Sequence, residues 1–242
     1  MRGANTVVQI FSIPVLEAYE ACESDPAGTG CPYCKLYRSM QSNELDIILG
    51  ASMMEPDIRI ATNEQGFCNK HYGMMLTRRR MLGMGLILES HLAEVKKKVT
   101  AKSLLGDPSA KSMPQISRLN GDCYVCGRIK RNMDAIISTT VYLYEKDEND
   151  FRSKFDAPAY FCLPHYTALV EYASKKMDKK LFREFFARAQ GIQEKYIDTL
   201  SQDVSWFCKK FDYRYDEEPW YNSKDSVQRS IKFLTGSEED DG

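Results

Sequence analysis

Two short cysteine and histidine elements occur twice in this chain, and their duplication constrains the fold more than any other feature. The first copy reads Cys31-Pro-Tyr-Cys34 followed by Phe67-Cys68-Asn-Lys-His71-Tyr72. The second reads Cys123-Tyr-Val-Cys126 followed by Phe161-Cys162-Leu-Pro-His165-Tyr166. The CxxC pairs are offset by 92 residues and the FCxxHY elements by 94, so the copies differ by a two-residue insertion between their elements. Six of the eight cysteines and two of the three histidines fall into this register. Accidental alignment of buried apolar thiols does not account for that.

The residue types suit a metal. Two cysteines separated by two residues can turn both sulfurs toward one point, and a Cys and His at i, i+3 on a helix lie on one face. Three thiolates and one imidazole match tetrahedral zinc. Proline is tolerated only in the first turn of a helix, so Pro164 predicts a helix beginning near Cys162. The helix N-terminus then stabilises a thiolate there, and by repeat symmetry at Cys68. The expected ligands are Cys31, Cys34, Cys68, His71, Cys123, Cys126, Cys162 and His165, binding two zinc ions per chain. Each site is taken to form within its own copy, although the spacing does not exclude exchange of ligand pairs between copies. Four protein ligands leave no open coordination position, which argues against a zinc hydrolase.

Three other chemistries use similar residues. An iron–sulfur cluster is also held by cysteines, with histidines in some cases. Cys31-Pro-Tyr-Cys34 is the glutaredoxin tetrapeptide, but no βαβ pattern surrounds it and a redox dithiol needs no distant FCxxH partner. The zinc deaminases pair H-x-E with P-C-x-x-C, and neither histidine element carries that glutamate. No P-loop, G-x-S-x-G or H-E-x-x-H is present, so no catalytic residue is assigned. His91, in the middle of a helical stretch, reads as a satisfied core or surface histidine.

Between these elements the pattern is helical, giving a mostly α fold of tandem pseudo-duplicated helical hairpins, each clamped by a Cys3His site, with long packing helices. Apolar residues at Ile129, Met133, Ile136, Ile137, Val141 and Tyr144 follow a 3.6-residue period. A series from Tyr72 to Val99 predicts one long helix to about residue 100, weakened near Gly83 and Gly85. Another, from Leu181 to Phe211, predicts a helix of about thirty residues. Ser12 ahead of Pro14 marks a helix start. Asn222 is the expected cap of a last helix, Lys224 to Leu234, stopped by Gly236. Ile58 to Ile60 and Ala159 to Phe161 are the only strand candidates. The chain divides into a first module at 1–105, a connector at 106–121, a second module at 122–236 and an acidic tail at 237–242.

Composition narrows the function classes. With 242 residues, 43% hydrophobic, the chain can bury a core without disulfides. A net charge of −1 gives no electrostatic footprint for nucleic acid. Arg78-Arg79-Arg80 and Lys96-Lys97-Lys98 fan around a helix as solvated faces. No apolar run is long enough to span a membrane, and the N-terminus lacks a signal-peptide pattern. Eight cysteines in such a chain point to a cytoplasmic, metal-binding protein.

The Ile13-Pro14-Val15-Leu16-Glu17-Ala18-Tyr19-Glu20 segment, the first CPxC, the Gly66-Phe67-Cys68-x-x-His71 element and their second copy together resemble a family of uncharacterised bacterial proteins, classed as a domain of unknown function. The likeness extends to Phe211-Asp212-Tyr213-Arg214 and Glu218-Pro219-Trp220. It implies a shared fold and metal ligation, and it supplies no activity. The expected function is a zinc-binding protein with two structural sites and an interaction or regulatory role, with an unidentified protein partner. The alternative is an iron–sulfur or dithiol redox protein.

Overall fold

The computed structural model describes residues 2–25, 30–50, 52, 54–100 and 107–237. Among them are eleven α-helices and no strand. In chain order these are α1 (Arg2–Ser24), α2 (Pro32–Leu49), α3 (Pro56–Gln65), α4 (Asn69–Thr77), α5 (Met81–Val99), α6 (Pro108–Gly121), α7 (Tyr124–Lys146), α8 (Phe151–Lys154), α9 (Leu163–Lys176), α10 (Lys179–Lys209) and α11 (Ser226–Thr235). None is long and apolar enough to cross a membrane.

The fold is mostly α as expected, and several boundaries differ. The predicted helix from Tyr72 to Val99 is two helices. The chain breaks at 78–80, where Arg79 takes a left-handed φ of 55°. Asp46 accepts from Arg78 on one side of the break at 3.0 Å, and the Asp46 carbonyl accepts from Arg80 on the other at 3.2 Å. Gly83 and Gly85 lie within α5 without interrupting it. The supposed connector is largely the helix α6. Asp107 caps it by accepting from Ser109 N at 2.9 Å, and Pro108 occupies its first position.

Ile58 to Ile60 belong to α3, because Pro56 pre-sets the first turn of a helix rather than a strand. Ala159 to Phe161 are irregular. The first helix begins well before Ser12 and carries Pro14 in its interior. A proline there removes one backbone donor while the rest of the ladder continues. Asp225 rather than Asn222 precedes α11, and Gly236 ends it at φ 82°. The expected tail falls outside the described residues from 238 onward.

The helices pack as two units: Met1–Arg38 with Met133–Gly242, and Ser39–Asn132. The divisions fall inside α2 and α7. Modules read from sequence similarity follow chain order; units defined by packing interleave it. In the first unit α9, α10 and α11 pack on one another and α1 packs on α8. Its core is aromatic. Phe155 is fully buried, with its ring centroid 4.9 Å from Phe185, 5.0 Å from Tyr144 and 5.6 Å from Phe161. The buried Tyr19 and Tyr33 hydroxyls lie 3.0 Å apart, so neither is orphaned.

In the second unit α5 packs on α3, α6 and α4. Leu45, Ile48, Met75, Met84, Ile87 and Ile129 are buried there. Glu44, almost fully buried, lies 3.3 Å from Arg128 Nε and so is not left as an isolated charge. Replacing Phe155 by Ala removes a ring in contact with five aromatic neighbours. It should cost about 3–5 kcal/mol of stability, read as a lower denaturation midpoint.

Candidate metal centres

Each of the four cysteine elements sits at the start of a helix. Cys31 immediately precedes α2, whose first residue is Pro32, and Cys34 lies in the first turn, with Lys35 N donating to Cys31 O at 3.3 Å. Cys123 stands in the same relation to α7, with Gly127 N donating to Cys123 O at 3.0 Å. Cys68 and Cys162 are the extended residues just before α4 and α9. Their carbonyls accept from Tyr72 N at 3.0 Å and Tyr166 N at 2.8 Å, which places His71 and His165 in the first turn beside the sulfurs. Pro164 occupies the first turn of α9, where the sequence put it.

The structure gathers all eight side chains into two groups of four, and it does so across the copies. One group is Cys31, Cys34, Cys162 and His165; the other is Cys68, His71, Cys123 and Cys126. The CxxC of each copy therefore meets the FCxxH of the other, in place of pairing within a copy. Within each group the ligand atoms lie within 4.8 Å of one another. Each group is also a meeting of two helix N-termini, α2 with α9 and α4 with α7. Unpaired backbone N–H groups and the positive ends of two helices converge there, a setting that favours negative charge.

In the first group His165 Nδ1 lies 3.0 Å from Cys162 Sγ, 3.6 Å from Cys34 Sγ and 3.8 Å from Cys31 Sγ, and Cys34 and Cys162 are 3.5 Å apart. Three residues that sequence reasoning did not single out close this group. Gln193 of α10 accepts from Phe161 N at 2.9 Å and donates to Phe161 O at 2.8 Å, fixing the backbone just ahead of Cys162. The turn after α11 lies over the sulfurs, and Ser237 N donates to Cys34 Sγ at 3.3 Å. Arg38 holds that turn by donating to both Ser237 oxygens at 3.0 Å. The three cysteines are buried.

In the second group His71 Nδ1 lies 3.2 Å from Cys68 Sγ, 3.3 Å from Cys123 Sγ and 3.5 Å from Cys126 Sγ. Cys68 and Cys126 are 3.9 Å apart. Gln41, buried beside His71, places its amide nitrogen 3.0 Å from Nε2. A donor there puts the ring hydrogen on Nδ1, facing the sulfurs. A cation on Nδ1 would move that hydrogen to Nε2, and a half-turn of the Gln41 amide would then offer it an oxygen. The group is more open than the first: Cys68 is half-buried and Cys126 exposed.

Proton distribution in these groups follows from crowding. Hydrogen bonds from Cys162 and Cys31 hold the Cys34 thiol well below its usual range. The Cys31 hydrogen bond lowers Cys162, but its hydrogen bond to Cys34, its burial and the nearby negative charge outweigh that and push it up to about 12. Burial pushes Cys31 up. In the second group burial acts against ionisation of Cys68. Hydrogen bonds from His71 N, Cys123, Cys126 and Lys70 N overcome it and lower the thiol. Burial and the neighbouring sulfurs push Cys126 up to about 12. Without a cation, Cys68 in the second group and Cys34 in the first are the thiols whose ionisation the surroundings favour, Cys34 in place of the expected Cys162.

The donor sets fit one tetrahedral cation each. Zinc–sulfur bonds of about 2.3 Å and zinc–nitrogen bonds near 2.0 Å give tetrahedral edges of about 3.8 Å between sulfurs and about 3.5 Å between sulfur and nitrogen. The observed separations of 3.0 to 3.9 Å straddle those edges. All eight cysteines are free, and the two outside the repeat, Cys22 and Cys208, join neither group.

The family of unknown function DUF6062 matches residues 7–241. The chain belongs to that family. No curated protein and no solved structure matches it. Membership in DUF6062 covers both cysteine groups and every helix from α2 to α11, so the exchanged arrangement lies wholly within the matched region.

His91 holds a supporting position. Its Nδ1 lies 3.0 Å from Asn63 O, and its ring faces Gly66, two residues before Cys68. Gly66 has φ 64°, its carbonyl accepts from Tyr124 N at 3.0 Å, and a Cβ there would meet His91 Cε1 and Nε2 at 2.9 Å. This contact joins the loops carrying Cys68 and Cys123. Gly66→Ala combines a strained φ with a clash against an anchored ring and should destabilise the protein by about 1–3 kcal/mol. Thermal unfolding would measure it, and adding His91→Ala should restore less than the whole loss, since the positive φ remains.

Proposed function

We propose that each cysteine–histidine group holds one zinc ion and that the protein is a non-enzymatic, metal-stabilised helical scaffold with an interaction or regulatory role in a reducing compartment. The observation that carries this reading is the size of the groups. Four donor atoms within 4.8 Å suit the edges of one tetrahedron. An iron–sulfur cluster distributes its ligands over two or more irons and would need a wider cage. Free thiols in every position support a reducing setting.

With zinc bound, four protein ligands complete the coordination shell, so the ion acts as a cross-link between helix N-termini and presents no position to a substrate. The ion compensates three thiolates that could not otherwise ionise together at this separation. In the first group the residues doing the remaining work are Gln193, Arg38 and Ser237, which fix the backbone and cover the sulfurs. In the second they are Gln41, which fixes the ring of His71, and Gly66, which lets two loops approach.

Elemental analysis of protein purified without oxygen should give two zinc ions per chain and no visible absorbance. Iron with sulfide and a coloured protein, or a metal-free chain with a reversible Cys31–Cys34 disulfide, would overturn the zinc reading. Cys162→Ser or His165→Ala should each lower the stoichiometry from two to one. The pairing is tested separately by double variants. Cys34→Ser with Cys162→Ser damages one group and should leave one ion, whereas Cys34→Ser with Cys68→Ser damages both and should leave none. Pairing within copies predicts the reverse.

The pH dependence has a definite sign. Cys162 and Cys126, both pushed to about 12 in the cation-free chain, hold their protons at neutral pH and must lose them to bind metal. Zinc uptake should therefore release at least one proton per ion into a dilute indicator buffer. Affinity should fall as pH falls, and acidification should strip the metal.

A further inference from the structure

Helix α5 is apolar on two faces, and only one of them is used by its own unit. Gly83, Met84, Ile87 and His91 point inward and are buried. A second stripe runs along the flank at Met81, Gly85, Leu88, Leu92, Val95 and Val99, with successive spacings of 4, 3, 4, 3 and 4 residues. That alternation is the seam by which one helix packs along another. Met81 is 60% exposed, Leu92 62% and Val99 55%. A Cβ added at Gly85 would meet nothing within 4 Å, so the backbone itself is open to close approach.

The charges beside the seam identify what fits it. Glu89 and Lys96 are exposed on its solvent side, seven residues apart, and among the described residues neither forms an ion pair in its own chain. Two antiparallel copies of α5 related by a twofold axis, with Leu92 set against the partner's Val95 and Leu88 against the partner's Val99, bring Glu89 opposite the partner's Lys96. The same pair recurs on the other side of the axis, so the surface is complementary to itself, as a twofold interface requires. A parallel pairing would instead set Glu89 and Lys96 against the positions of Met84 and His91, which are already buried.

We propose that the C-terminal part of the outer stripe of α5 is the interface of a homodimer, with a second copy of this chain docked antiparallel along Leu88 to Val99. The assembly is independent of metal identity, because the stripe contains none of the metal-centre residues. It gives the scaffold two copies of each metal centre, related by the twofold axis.

The test is the mass of the full, metal-loaded chain by sedimentation or light scattering across micromolar concentrations. The wild type should be a dimer. Leu92→Glu should be a monomer with unchanged helicity and metal content, because Leu92 is mostly solvent-exposed and supports no core contact. Glu89→Lys sets like charges against each other twice and should raise the dimer dissociation constant at least tenfold. Glu89→Lys with Lys96→Glu should bring it back. A monomeric wild type would overturn the proposal, and so would a dimer that survives Leu92→Glu or whose charge reversals fail to compensate.

Discussion

Three sulfur atoms within 4.8 Å of one another, beside a neutral imidazole, cannot all be thiolates unless something positive lies among them. That constraint organises this molecule twice. Its partial answer is written into the backbone, since each group forms where two helices begin and two sets of unpaired N–H groups converge. Those N–H groups favour ionisation of one thiol in each group, Cys34 and Cys68. Three thiolates together need a cation. In α2 and α9 a proline in the first turn also favours a helix start there.

Long helices separate the two elements of each copy. The 18 residues of α2 rise about 27 Å and the 10 residues of α3 about 15 Å. In the second copy α7 is longer still, with 23 residues rising about 35 Å ahead of the short α8. Each CxxC pair meets an FCxxH element carried by the other copy.

Much of this was legible in the sequence, and the limits are physical. The eight residues and the helix start at Pro164 come from local chemistry, which a sequence displays directly. The 3.6-residue periods place α7 and α10 to within a few residues. The break at 78–80 is not periodic information: Arg79 carries no turn signature, and Asp46, more than thirty residues away, binds the arginines on both sides of it. Gln193 and Gln41 are likewise invisible as supports, because a buried glutamine is recognised by the partner it meets and not by its neighbours in sequence. The exchange was not readable, because the spacing of the elements admits both pairings.

Loop entropy does not oppose the exchange strongly. The first group joins residues 128 to 134 positions apart and the second 52 to 58. Pairing within copies would join residues 34 to 42 positions apart. Each doubling of loop length adds about 0.6 kcal/mol to closure, so the exchanged arrangement costs on the order of 2 kcal/mol more in total. A structural zinc site contributes about 10 kcal/mol of apparent binding free energy. The entropy term is therefore too small to decide the topology. In return, each cross-link draws together segments from both copies. If each group holds a cation as proposed, its loss would release two helix N-termini at once, α2 with α9 or α4 with α7, and would loosen the packing that both halves of the sequence contribute to that unit.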